Sequence, residues 1–175
     1  MIYLDSSVAL AHLLGEDRSP PESLWSEPLV SSRLLEYELW TRVHARKLTT
    51  SHGDVVRTLL GGVAMLELAP PVLARALDPF SVSVRTLDAL HLASIEFLRA
   101  RGQRVELATY DDRFAAAARA ERAAGGSLNR VVGPRRRPGR GWIEWSPVSR
   151  GRETAARRPR GRSIPRGRRA AAPAP

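Results

Sequence analysis

Four acidic residues stand within or directly after apolar segments: Asp5 behind Ile2-Tyr3-Leu4, Glu38 inside Leu34-Leu35-Glu36-Tyr37-Glu38-Leu39, Asp88 inside Leu87-Asp88-Ala89-Leu90, and Asp111 behind Leu107-Ala108-Thr109-Tyr110. A fold that gathers them meets a cost, because two like charges about 4 Å apart repel by roughly 4 kcal/mol at an effective dielectric near 20. That is a large part of a domain's net stability of about 5–15 kcal/mol. A cation offsets it, and carboxylate oxygens, being hard ligands, select Mg2+, with Mn2+ as a substitute. Ions held in acidic clusters serve hydrolysis or transfer of phosphoryl groups. The four acids therefore point to a metal-dependent nuclease.

The elements that must position these acids are legible in outline. Ile2–Leu4 reads as a short strand, ended by Asp5-Ser6-Ser7, all good helix caps, and a helix then runs through Val8–Leu14 to a Gly15 stop. Leu29-Val30 is a brief strand, and Ser32 is placed to cap a helix reaching Lys47, in which Leu35, Glu38, Leu39 and Arg42 follow i, i+3, i+4, i+7 spacing. Glu38 is thereby expected on the buried side. Further helices are predicted over Ser51–Leu60, from Pro70-Pro71, and over Arg85–Arg101 before Gly102, with a strand at Met65–Leu68. Asp88 shares a face with Leu92 and Ile95, an acid in an apolar stripe. Val105–Thr109 is the next strand, and Asp111 can cap a helix ending at Gly125-Gly126. Strands alternating with helices imply an α/β fold, a mostly parallel sheet covered on both faces. Ligands bind such sheets at the carboxyl ends of the strands, just where Asp5 and Asp111 fall.

Each acid also has an ordinary structural reading. Asp5 and Asp111 can be N-caps, Glu38 can pair with Arg42 at i+4, and Asp88 can be a first-turn acid favoured by the helix dipole. The combination argues for more, since two acids sit at strand ends and two at core-facing helical positions, where burying an unpaired charge is costly. Glu36, Asp112 and Glu106 are expected outside the site, as a solvated or paired acid, a first-turn acid and a residue at the strand's edge. His91, three residues after Asp88, reads as a core histidine held by hydrogen bonds rather than as a ligand or general base.

Composition narrows the function classes. The 175 residues, 43% hydrophobic, suffice for one ordinary domain plus an extension. There is no cysteine, which excludes disulfides, thiolate chemistry and cysteine-ligated zinc and suits a reducing cytosol. No basic leader precedes an apolar run and no apolar stretch is long enough to cross a bilayer, so a soluble, cytoplasmic protein is expected. The net charge of +10 resembles a nucleic-acid signature until it is divided along the chain. Residues 125–175 carry fourteen arginines against two glutamates, a balance of +12, which leaves residues 1–124 with fourteen cations against sixteen acids, or −2. The relevant charge is that of the domain. Two segments are accordingly expected, a folded domain at 1–124 and a basic Gly/Pro/Arg-rich tail at 125–175, too poor in apolar residues to offset its ordering entropy.

The segments Ile2-Tyr3-Leu4-Asp5-Ser6-Ser7, Ser31-Ser32 followed by Glu38, Arg85-Thr86-Leu87-Asp88-Ala89-Leu90-His91-Leu92-Ala93, and Thr109-Tyr110-Asp111 occur in the order and at the separations of a known family. Over residues 1–124 the chain resembles PIN-domain ribonucleases of the VapC toxin type. The resemblance implies a small α/β sandwich, a homodimer, and a cytoplasmic complex with a VapB-like antitoxin. It implies Mg2+- or Mn2+-dependent hydrolysis of RNA, often structured RNA such as tRNA or rRNA, as the toxin of a type II toxin–antitoxin system. Carried over by position, Asp5, Glu38, Asp88 and Asp111 become the catalytic and metal-holding quartet, with Ser6 and Thr109 as supporting contacts.

The departure from the family is the tail, where Val131-Val132 is the one remnant of a closing strand and a long Arg-rich segment follows. It is either an added RNA-binding arm or a translated read-through or frame-shifted extension. A second functional class stays open, a catalytically inactive PIN-like or Arg-rich RNA-binding module, whose mark would be the loss of a quartet acid. A phosphatase of the haloacid dehalogenase type also opens with a strand and Asp, but needs a second acid where Ser7 stands.

Overall fold

The computed structural model describes residues 1–123 and the backbone of Val131–Val132. By compactness the chain divides into Met1–Ile143 and Glu144–Pro175. The second unit, and with it most of the expected tail, lies outside the described residues.

Five strands form the sheet: β1 (Ile2–Leu4), β2 (Leu29–Ser32), β3 (Val63–Leu66), β4 (Glu106–Ala108) and β5 (Val131–Val132). All four strand pairings are parallel. The spatial order is β3-β2-β1-β4-β5. The chain thus winds outward from β1 through β2 to β3, then returns to the other side of β1 for β4. That reversal makes the gap past the carboxyl ends of β1 and β4 the natural ligand crevice of the sheet. The pairing of Val131–Val132 with Leu107 and Ala108 carries the sheet beyond residue 124.

The helices are α1 (Ser6–Leu14), α2 (Leu34–Ala45), α3 (Thr49–Gly61), α4 (Pro70–Leu77), α5 (Thr86–Ala100) and α6 (Asp112–Ala123), with a 3₁₀ turn at Glu22–Ser26. Successive strand residues point to opposite faces, and the core divides accordingly. Leu4, Leu29, Val63 and Ala108 pack with Val8 and Leu13 of α1, Leu35, Leu39 and Val43 of α2, and Val56 of α3. Tyr3, Val30 and Leu107 pack on the other face with Leu92 and Ile95 of α5 and Phe114, Ala117 and Ala118 of α6. No helix among the described residues is long and apolar enough to cross a membrane.

Local signals account for most boundaries. Gly15 closes α1 at φ 61 and Gly102 follows α5 at φ 79, left-handed conformations that glycine adopts without a Cβ penalty. Pro70 opens α4, where its missing N–H would be unsatisfied in any case. Ser32 departs from expectation. It is the last residue of β2, and α2 begins after Arg33 with no side-chain cap. Its backbone N–H is committed to the buried Tyr3 hydroxyl at 3.1 Å, an interaction invisible from local sequence.

The two-sided core sets an expectation. Leu39, fully buried beside the acid-bearing position of α2, should cost about 2–5 kcal/mol of unfolding free energy when changed to Ala, whereas Leu77, 87% exposed, should cost nearly nothing, both read by urea denaturation.

Candidate active site at the carboxyl ends of β1 and β4

Asp5 follows β1 directly and is 5% exposed. It caps α1, its Oδ2 accepting the Ser7 backbone N–H at 3.3 Å. The same oxygen accepts the Ser7 hydroxyl and the Thr109 hydroxyl at 2.8 Å. Oδ1 accepts no hydrogen bond among the described residues, so one carboxylate oxygen is fixed and the other is uncommitted. The Asp5 backbone N–H donates to the Ala108 carbonyl at 3.0 Å, prolonging the β1–β4 pairing into the site.

Thr109 joins two of the acids, since its Oγ1 also accepts the Asp111 backbone N–H at 3.0 Å. Ser7 Oγ accepts the Tyr110 N–H at 2.8 Å. The supporting hydroxyls are therefore those of Thr109 and Ser7. Ser6, expected in that role, has no side-chain hydrogen bond to the cluster. The reason is helical geometry: an N-cap carboxylate meets the residues two and three positions on, a rule that would have selected Ser7 from sequence.

Asp111 caps α6, Oδ1 accepting the N–H groups of Arg113 at 2.8 Å and Phe114 at 3.2 Å. Its Oδ2 lies 3.2 Å from Arg85 Nη1. Arg85 immediately precedes α5, three residues before Asp88. Burial raises the Asp88 carboxyl above its ordinary value, and the charges of Asp111 and Asp5 raise it further, opposed by Arg85 and His91. Asp5, Asp88 and Asp111 are thus brought within electrostatic reach of one another.

Glu38 joins through a different partner. Its Oε2 is 3.0 Å from His91 Nε2, and no bond to Arg42 is formed. His91 Nδ1 lies 2.9 Å from the Tyr3 hydroxyl. Burial opposes the imidazole's charge, but Tyr3, the hydrogen bond to Glu38 and the charge of Asp5 outweigh it and raise its pKa to about 10. The buried histidine is the hydrogen-bonded core residue expected from sequence, and its surroundings favour the charged form beside a carboxylate. Glu36 pairs with Arg33 at 3.1 Å on the surface, and Asp112 sits in the first turn of α6.

Among the described residues, no three potential ligands stand together as a ready metal-binding set. Arg85 takes one oxygen of Asp111 and His91 takes one of Glu38, so protein cations already offset part of the repulsion. The chemistry of the donors nonetheless suits a divalent ion, since the side chains are hard carboxylates and Asp5 keeps an oxygen uncommitted.

Arg85, Ser7 and Tyr3 were missed as parts of the site by reasoning from the sequence. Ser7 had a capping signal and Arg85 an i, i+3 relation to Asp88. Tyr3 had only its polar tip on a buried ring.

The raised Asp88 carboxyl has a definite sign. A group that holds its proton more tightly in the folded chain weakens the fold when ionised; that cost is complete above the raised value and is relieved as pH falls through it toward the ordinary 3.8 of the free carboxyl. Asp88→Asn should therefore raise the thermal midpoint of the metal-free protein at pH 7, with the gain shrinking at pH 4; a lowered midpoint at pH 7 would count against the charge crowding.

Two comparisons with known proteins bear on this site. The PIN domain family model matches residues 2–120. Ribonuclease VapC47 of Mycobacterium tuberculosis (strain CDC 1551 / Oshkosh) is 31% identical over 121 residues, an alignment covering 65% of this chain and 87% of the relative.

Proposed function

The chain belongs to the PIN-domain family, and on that premise we propose that it is a metal-dependent endoribonuclease, a hydrolase of RNA phosphodiester bonds acting as the toxin of a type II toxin–antitoxin system. The observation that carries this reading is the Thr109 hydroxyl between Asp5 and Asp111 at the reversal point of the sheet, beside an Asp88 whose carboxyl feels both charges. The name of the similar mycobacterial ribonuclease supports the substrate class.

In this reading Asp5, Asp88 and Asp111 would hold Mg2+, or Mn2+ in its place, and Glu38 would help hold a second ion or orient a water. A divalent ion in such a site supplies Lewis-acid polarisation of the phosphoryl group and eases deprotonation of water. The chain's own contribution is positioning. Ser7 and Thr109 fix Oδ2 of Asp5 and leave Oδ1 for the ion. Thr109 also sets the backbone of Asp111. His91, backed by Tyr3, fixes Glu38, so that the acid most remote in sequence from the strand ends keeps one orientation. Arg85, paired with Asp111 at 3.2 Å, would place a cation beside the phosphoryl group.

The likeness to a VapC-type ribonuclease supports the remaining assignments of this reading. A VapB-like antitoxin covers the site, the protein works as a homodimer in the cytoplasm, and structured RNA such as tRNA or rRNA is the substrate. Residues 1–124 carry the acids of the nuclease, Val131–Val132 adds an edge strand to its sheet, and the fourteen arginines of the basic segment lie within residues 125–175.

Incubation of the full chain with total RNA, with and without Mg2+, tests the activity. Cleavage should require the ion, and Asp5→Asn and Asp88→Asn should reduce it by at least about 10²-fold, as expected for groups acting only in the transition state. Glu36→Gln and Asp112→Asn should cleave as the unaltered chain does. RNA binding without cleavage under either ion would favour the inactive binding module instead.

Metal binding has its own readout. Millimolar Mn2+ or Mg2+ should raise the melting midpoint of the unaltered protein through preferential binding to the folded state, and less so in Asp88→Asn. A midpoint unmoved across the titration would remove the ion from the mechanism.

A further inference from the structure

A cavity of about 460 Å3 adjoins the acids, lined by Ser7 and Asp111 of the site together with Leu10, Tyr110, one further acid, Glu16, and the three arginines Arg18, Arg42 and Arg46. Its size falls within the roughly 300–1,000 Å3 of small-ligand sites. Three arginines from two separated segments converge here, in a portion of the chain whose net charge is −2.

Pairing within the protein does not account for all three. Arg18 donates Nη1 to the Tyr110 carbonyl at 2.9 Å, which fixes the loop behind the site. Arg46 approaches Glu16 only to 3.7 Å, with the two side chains 49% and 46% exposed, an ion pair of the kind worth little in water. Arg42 has no ion-pair partner among the described residues. Arg42 and Arg46 stand one helical turn apart, an arrangement of like charges that costs a helix a few tenths of a kcal/mol. An anion seated between them turns that cost into a gain, and the planar guanidinium matches a phosphate with paired donors.

We infer that this cavity is a subsite for the nucleotide next to the scissile bond, Arg42 and Arg46 binding its phosphate while Arg18 holds the wall. The inference rests on the nuclease reading for the identity of the strand as RNA. It places the substrate's backbone along α2, running from the acids toward the end of that helix, and makes recognition here a matter of backbone rather than base.

Arginine modification by phenylglyoxal, mapped by mass spectrometry on the full chain, tests it without interference from the basic tail. With divalent ions chelated so that no cleavage occurs, a short single-stranded RNA should slow modification of Arg42 and Arg46 several-fold. Arg119, exposed on α6, should react at the same rate with and without RNA. Equal rates at Arg42 and Arg46 with and without RNA, or equal protection of Arg119, would overturn the subsite. In a second measurement the Arg42→Ala/Arg46→Ala double variant, checked for folding by circular dichroism, should lower kcat/KM and flatten log affinity against log salt by roughly 0.7 for every RNA phosphate that no longer meets an arginine. Arg42→Lys, which keeps the charge but loses the fork, should fall between the two. Protection in a chain that cleaves no RNA under any ion would sink the nuclease reading and leave the anion subsite standing. Cleavage without protection would do the reverse.

Discussion

Negative charge gathered at the reversal point of a parallel sheet is the constraint around which this molecule is arranged. Asp5 and Asp111 follow the adjacent strands β1 and β4, and Asp88 is close enough for its carboxyl to respond to both. The fold manages the crowding in three ways. Hydroxyls of Ser7 and Thr109 solvate Asp5 where water is largely excluded. Helix N-termini stabilise Asp5 and Asp111, whose oxygens accept backbone N–H groups of α1 and α6. Arg85 and His91 supply positive charge to Asp111 and Glu38.

Those devices explain why a site that needs repelling acids coexists with an ordinary core. Asp5 divides its duties between its two oxygens, one engaged in holding α1 and β4 together and the other uncommitted. The capping duty also means that the carboxylate's orientation is set by folding, before any ion arrives. Preorganisation of this kind lowers the reorganisation required at the moment of reaction. The buried Tyr3–His91–Glu38 chain does the same for the acid on α2. It runs from β1 through α5 to α2, so the acid on α2 is tied to the strand that delivers Asp5.

Charge beyond the acids follows a separate logic. The whole-chain excess of cations belongs to residues 125–175, and the part of the chain that forms the sheet and helices is slightly acidic. Arg18, Arg42 and Arg46 line one cavity with Ser7 and Asp111, so local cations stand beside the acids in a part of the chain whose net charge is negative.

By itself the sequence determined what short-range physics controls. Period-two and period-3.6 apolar spacing gave β1, α1, α2, α5 and α6 close to their observed limits, Gly15 and Gly102 gave stops, and the strand-then-acid pattern put Asp5 and Asp111 at strand ends. The half-buried places of Glu38 and Asp88 on apolar stripes were legible for the same reason, and the family pattern joined the four. Tertiary structure alone decided what partners these side chains take. Glu38 turns to His91, 53 residues away, rather than to Arg42 on its own helix; Ser32 serves Tyr3 rather than capping α2; and Arg85 meets Asp111 across 26 residues. Local spacing offers each side chain a nearby candidate, but a buried polar group takes the partner that the packed sheet and helices bring within hydrogen-bond distance, because leaving it unpaired away from water costs more than any local alternative returns.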